Sequence, residues 1–587
     1  NCNYTGSMSH IIKTKKPIVY FAFGVYFGFN LQDNFFGNMN KVFTIFCLLA
    51  IGLSSYGQDK GVFSGNFQSN FSVFVLDSSI GAYESPQYTS QISSAEAWLF
   101  TNYQLKGFNV SARYDLFNNS NLLNPTGTFS GHGLGFWQIK KSIDKLTITA
   151  GSFYDQFGSG IVFRAYENRL IGIDYAVEGV HAKYQINNDF FVKAFTGNQK
   201  GSGAQGNRFG TTSEIVKGIN SERIYRLKNE KGILMLGASA FNRTLTQSSM
   251  NDLITEINGY DSVSHRFAPK YNSYAVNGYF NLTLKDVSLS FEHNRKAKEA
   301  VRVPEGRLQL LPGTINYATL SYSKKKLGKK KKSGFGFNAQ YRRIENFQLR
   351  TNPNDLLLDG LLTYQPSLTR QASYRLLARY NAPAQDYGEE GFQASLVWTI
   401  KKGKTLYLNY SNVKKLNGEQ LYREYFLNYE HKFSKVFKGK IGLQSIFYNQ
   451  QIYESRDTSY KDVETITPFF ELTYKLSRRN SLRMETQYLI TEQDLGSFVN
   501  AILELNMSPR YSFSISDMVN VSPVRQKDAK VSDDVVHYWS VFGKYNIHTT
   551  SFTLAYVRQV AGVNCTGGIC RIEPAFSGVR FTLTTNF

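Results

Sequence analysis

Along most of the chain, hydrophobic and polar side chains alternate one by one. In the last segment Val579, Phe581, Leu583, Thr585 and Phe587 share one face, and Gly578, Arg580, Thr582 and Thr584 share the other. Successive strand side chains point to opposite faces, so this is a strand with one greasy wall and one polar wall. The pattern recurs at Leu146-Ile148-Ala150, at Phe392-Ala394-Leu396-Trp398-Ile400, at Leu406-Leu408-Tyr410 and at Pro468-Phe470-Leu472-Tyr474. A soluble β-sandwich alternates too, but rarely needs so many strands in one undivided run. The expected fold is all-β: a transmembrane antiparallel β-barrel, apolar towards lipid and polar towards a wet lumen.

Spacing between the strands sets their number and direction. Tight turns are expected at Lys106-Gly107, Asp144, Asn187-Asn188, Asn229-Glu230-Lys231, Lys285-Asp286, Lys401-Lys402-Gly403, Ser434-Lys435, Arg478-Arg479-Asn480, Ser508-Pro509 and Ile547-His548. Longer polar connections separate them. Bacterial barrels keep short turns in the periplasm and long loops outside. Keeping that parity requires weak strands at about 214–227 and 357–366, and brings the expected count to about 26, within 24–28.

Composition agrees. Aromatic residues make up 15% of the chain, while a mean hydropathy of −0.33 is too polar for a helical membrane protein. Beyond residue 58 no apolar run approaches the ~20 residues a spanning helix needs. Met39-Asn40-Lys41, an apolar Val42–Leu53 stretch and Ser55-Tyr56-Gly57 form a leader over 39–57. Residues 1–38 precede that start and read as mistranslated upstream sequence, which leaves 58–587 as the barrel. Strand-like sequence, Val62 to Phe67, follows almost at once, so no N-terminal plug domain is expected.

The whole chain carries a net charge of +22, spread over many turns and loops. Outer-membrane lipid, and anionic glycolipid in particular, is the expected partner of that charge, and nucleic acid is not. Cys565 and Cys570 flank Thr-Gly-Gly-Ile and suit a short-loop disulfide in an oxidising compartment.

One segment stands apart: Tyr154-Asp155-Gln156-Phe157-Gly158-Ser159-Gly160, then Arg164, Glu167 and Arg169. It resembles a family of uncharacterised outer-membrane proteins from Bacteroidota, known only as a domain of unknown function. The resemblance implies barrel and membrane and no activity. The segment is expected to be the third external loop. Folded into the lumen, it would set Asp155, Arg164, Glu167 and Arg169 across a pore constriction; the plainer reading is a structured loop whose charges pair among themselves and with lumen side chains. The terminal Phe587 resembles the sorting signal read by barrel assembly machinery. Lys324, Lys325, Lys326, Lys329, Lys330, Lys331 and Lys332 form a periplasmic basic turn, either simply solvated or gripping an anionic partner such as cell-wall polymer or an acidic protein. Gly201, Gly203 and Gly206 match a dinucleotide-binding string but lack its strand-to-helix setting.

No catalytic motif, metal-spaced cluster or cofactor site is apparent, so an enzyme is not expected. Two functions remain. One is a porin-like passive channel narrowed by external loops. The other is a non-conducting scaffold of an envelope secretion, assembly or surface-lipoprotein complex, with another envelope protein filling or capping the barrel.

Overall fold

The computed structural model describes residues 61–587, except 124–126, 202–207, 228–230, 328–332, 357, 525–534 and 567–568; the side chains of 326–332 and 563–572 are also outside the description. The leader, the upstream extension, four of the seven lysines of the basic turn and most of the Gly-rich string therefore lie outside the described residues.

A single antiparallel sheet of 24 strands closes on itself. Each strand pairs with the next wall strand in the chain, and the first, Val62–Phe74, pairs with the last, Phe576–Asn586. Closure leaves the sheet no free edge, so along the paired stretches the ladder groups are partnered without help from water.

The strand Val463–Lys475 shows how the alternation works. Val463, Thr465, Thr467, Phe469 and Glu471 are buried on the lumen face, while Ile466, Phe470 and Tyr474 are exposed on the outside. Across the wall, register aligns outward residues into apolar rows. One runs Phe337, Leu396, Leu408, Leu427, Leu443, Pro468 through five successive pairings. Among the described residues no helix is long and apolar enough to cross a membrane; the strands supply the apolar exterior.

Among the described residues the short turns fall where the pattern expects them, all at one end of the barrel; most of the turn expected at Asn229-Glu230-Lys231 lies outside the described residues. The strand expected at 214–227 is in the wall as Thr211–Arg226. The strand expected at 357–366 is not. Residues 346–387 form one long connection between the wall strands Ser333–Glu345 and Gly388–Lys401. The loss of that strand accounts for one of the two by which the wall, at 24, falls short of the expected 26.

Candidate functional site

Two connections at the long-loop end, 154–176 and 346–387, turn inward and pack on the lumen face of the wall. The first owes its path to two glycines. Gly158 and Gly160 have φ of +54° and +95°, left-handed conformations that cost a residue with a Cβ. They let the chain reverse, with Gly160 donating its N–H to the Phe157 carbonyl at 2.8 Å. The reversal drives Phe157, Ile161, Val162 and Phe163 into complete burial against Phe195, Val216, Phe241 and Ile315 of the wall. Such a cluster buries about 1.5–3 kcal/mol per large apolar side chain. Tyr154 stacks on Phe136 with ring centroids 5.4 Å apart, and the Gln156 side chain donates to the Gly158 carbonyl.

The charged candidates of this segment pair with each other and with the wall. Asp155 lies 2.7 Å from Lys193 and 3.1 Å from His181. Glu167 accepts from Arg113 at 2.5 Å and from Arg169 at 2.8 Å. Arg164 stacks over Tyr166 and Tyr364, 4.6 and 4.0 Å from their ring centroids. Asp174, which the sequence did not single out, is the hub. It accepts from Arg113 at 2.7 Å, Lys200 at 2.8 Å and the Tyr154 hydroxyl at 2.9 Å. Burial pushes the Asp174 carboxyl up, but the charges of Lys200, Arg113 and Arg208 outweigh it and hold it below the usual range. Asp155 is likewise lowered: burial raises it, and the His181 and Lys193 contacts win.

The second connection spans the lumen. At one side it joins the first by backbone hydrogen bonds, Arg164 N–H to the Leu362 carbonyl at 2.9 Å and Tyr364 N–H to the Gly160 carbonyl at 3.0 Å. At the other side Leu368, Leu376 and Tyr380 pack on Tyr422, Tyr448 and Phe498 of a different arc of wall. Polar anchors hold that side. Tyr374 donates to Glu471 at 2.9 Å, Leu376 N–H to the Gln487 side chain at 2.7 Å, and Arg379 pairs with Asp494 at 2.8 Å. The Arg370 guanidinium sits 3.7 Å from the Phe426 ring centroid and 3.2 Å from Glu424.

Beyond the inserts, towards the short turns, lumen-facing residues such as Asn102, Gln104, Ser512 and Ser514 are no longer buried. A cavity of about 430 Å³ opens there beside the first insert, lined by Asp155, Gln156, Lys193, Glu222, Tyr279 and Glu292. Among the described residues no three His, Cys, Asp or Glu side chains gather to hold a metal ion.

Elsewhere, register sets Cys565 opposite Cys570 in a small hairpin whose side chains there lie outside the described residues. Phe587 exchanges both backbone hydrogen bonds with Gly65, at 2.8 and 3.0 Å. Lys324 and Lys325 are exposed at the short-turn end. Sequence reasoning missed the second insert. Its signal was there: Leu356–Leu358, Leu361-Leu362 and Leu376-Leu377 are consecutive apolar runs, which break the one-on, one-off rhythm of the wall.

In three dimensions the chain is similar to the P pilus usher PapC translocation pore (10% identity, 89% of this chain and 99% of that chain, TM-score 0.42). It is also similar to the siderophore receptor PirA from Pseudomonas aeruginosa (11% identity, 90% and 81%, TM-score 0.39) and to OccAB3 from Acinetobacter baumannii (9% identity, 90% and 99%, TM-score 0.35). No curated protein matches it in sequence. A family model described as "Family of unknown function (DUF6029)" matches residues 39–587.

Proposed function

We propose that this chain, which belongs to the Family of unknown function (DUF6029), is an integral outer-membrane channel of porin-like type, narrowed in its outer half by two inward-folded connections. The location rests on the wall: a closed sheet with apolar rows outside and polar residues inside satisfies its backbone in lipid and wets its lumen. The channel reading rests on one observation. Inward residues are buried at the level of the inserts and solvated between them and the short turns, so the lumen is a wet vestibule below a constriction. A bare barrel of 24 strands would enclose a wide aqueous hole; the inserts reduce it.

In this reading Asp155, paired with Lys193 at the edge of the vestibule cavity, is the constriction charge that a passing solute meets. Arg164, Glu167 and Arg169 act from within the insert, setting its shape through Tyr166, Tyr364 and Arg113. Planar bilayers test the idea. Purified barrel should conduct weakly, and replacing 346–387 by a short Gly-Ser linker should raise unit conductance several-fold. Well-folded protein that stays silent with and without the segment removes the channel.

The depth of packing supports the second reading, a non-conducting scaffold. The second insert binds both arcs of wall and leaves its own large side chains buried. In that case deletion changes no conductance, and gentle-detergent purification recovers a stoichiometric envelope partner. Repeated recovery of the lone barrel counts against it.

A further inference from the structure

The barrel sets five consecutive basic short turns without an acidic residue on one side. Going round the wall from the strand Leu308–Leu327 to the strand Tyr511–Pro523, five consecutive hairpins end at the short-turn rim. Their ends carry exposed Lys325, Lys402, Lys435, Arg478, Arg479 and Arg510. No acidic residue lies in any of these five turns. None of the six cations has an ion-pair partner among the described residues. Most of the rest of the rim differs: Asp144 precedes Lys145, Glu230 precedes Lys231, Lys285 precedes Asp286, and Arg226 pairs with Asp189 at 2.8 Å. The turns at Lys106-Gly107 and Ile547-His548 also lack an acidic residue, but the first does not adjoin the five and the second carries no Lys or Arg. Only the fold reveals this, because the five turns are spread over nearly two hundred residues of chain.

We propose that this arc of the short-turn rim is a docking surface for an acidic protein of the periplasm. Unpaired cations packed along one arc repel each other, and an opposing anionic surface relieves that repulsion. Lipid does not account for the one-sidedness. A barrel meets headgroups round its whole perimeter, so turns serving them would lack acidic residues on every side and not in one consecutive run. Cell-wall polymer is the weaker fit. Phe433, Val436 and Leu476 are exposed at the same turn tips, and a hydrophilic polyanion leaves such apolar side chains uncovered. A protein edge bearing carboxylates around apolar residues covers both. Arg478 and Arg479 add guanidinium forks that suit bidentate carboxylate contacts. The proposal holds whether or not the lumen conducts.

The test uses the full chain in nanodiscs of zwitterionic phospholipid. The probe is a fluorescent peptide of glutamate interspersed with phenylalanine and leucine. Parallel arms use poly-L-glutamate, soluble cell-wall glycan fragments, and discs containing phosphatidylglycerol. The mixed peptide should bind more tightly than poly-L-glutamate and weaken steeply with salt. Arg478→Glu with Arg479→Glu should weaken it about tenfold, and Lys402→Glu with Lys435→Glu similarly. The same reversal on the opposite arc, Lys106→Glu with Lys145→Glu, should change little. These substitutions sit at exposed tips, and retention of the heat-modifiable band on gels shows that each barrel is folded. The proposal is overturned by no peptide binding to wild type, by equal loss from both arcs, by tighter binding of the glycan fragments, or by phosphatidylglycerol displacing the peptide.

Discussion

Two aspartates hold the lumenal segments, buried Asp174 in the first insert and half-buried Asp494 opposite the second. Removing one partner of a buried ion pair leaves the others charged and dry, which costs about 3–5 kcal/mol. Asp174→Asn takes the paired carboxylate from Lys200 in that way, while Arg113 keeps Asp115 and Glu167. It should lower the temperature at which the gel band shifts to its unfolded position; an unchanged temperature would show that solvent reaches the hub. Asp494 offers a pH test. Burial raises its carboxyl, but the Arg379 charge and the hydrogen bonds from Arg379 and Tyr380 hold it below the usual range. A carboxyl lowered by folding stabilises fully above its unfolded value near pH 4 and loses that contribution as pH falls through the folded value. Asp386, raised by burial, gains in the same direction of titration, so the comparison is made against Asp494→Asn. Wild type should resist protease within 346–387 at neutral pH and become cleavable on acidification, whereas the variant should be cleavable at both; equal protection of the two proteins at neutral pH refutes the anchor. Neither aspartate could be picked out in advance, because an Asp in a loop reads as solvated until the fold supplies its cations.

At the scale of elements, the wall strands were legible and the inserts were not, for one reason. A strand's two faces are fixed locally by the pleat, so lipid on one side and water on the other write a period of two into the sequence. The segment 346–387 meets wall on two arcs and the first insert besides. Its apolar positions answer to those distant contacts and have no single period, so reading part of it as a strand inflated the count. The 154–176 loop was recognised through its glycines and aromatics, but its burial against Phe195 and Phe241 needed the closed wall. The small hairpin Gly562–Glu573 carries a further prediction. Opposed register places Cys565 and Cys570 at a separation a disulfide can bridge. Alkylation without reductant should therefore leave both thiols unmodified in protein taken from the envelope, with two adducts appearing after reduction. Adducts without reduction would mean free thiols.

For the whole molecule, closure is the decisive event. Asn66 and Asn586 face each other at the seam and share a 2.7 Å side-chain hydrogen bond, although they are 520 residues apart. The Phe587 ring covers Gly65, where an added Cβ would fall 2.4 Å from it. Gly65→Val and deletion of Phe587 should each reduce the folded fraction reaching the membrane, measured by the heat-modifiable band. Full yield from both would mean that the seam tolerates misfit. Pairing across such a sequence separation is slow to form, because the loop it closes is the entire wall.

The seam has a further meaning for the unfinished protein. A chain lacking its final strand, 11 residues long, presents two bare edges across a gap one strand wide. Any loose strand of similar length can slot into that gap, from a neighbour as readily as from itself. Completion of the C-terminus is thus what keeps each copy from trading strands with the next.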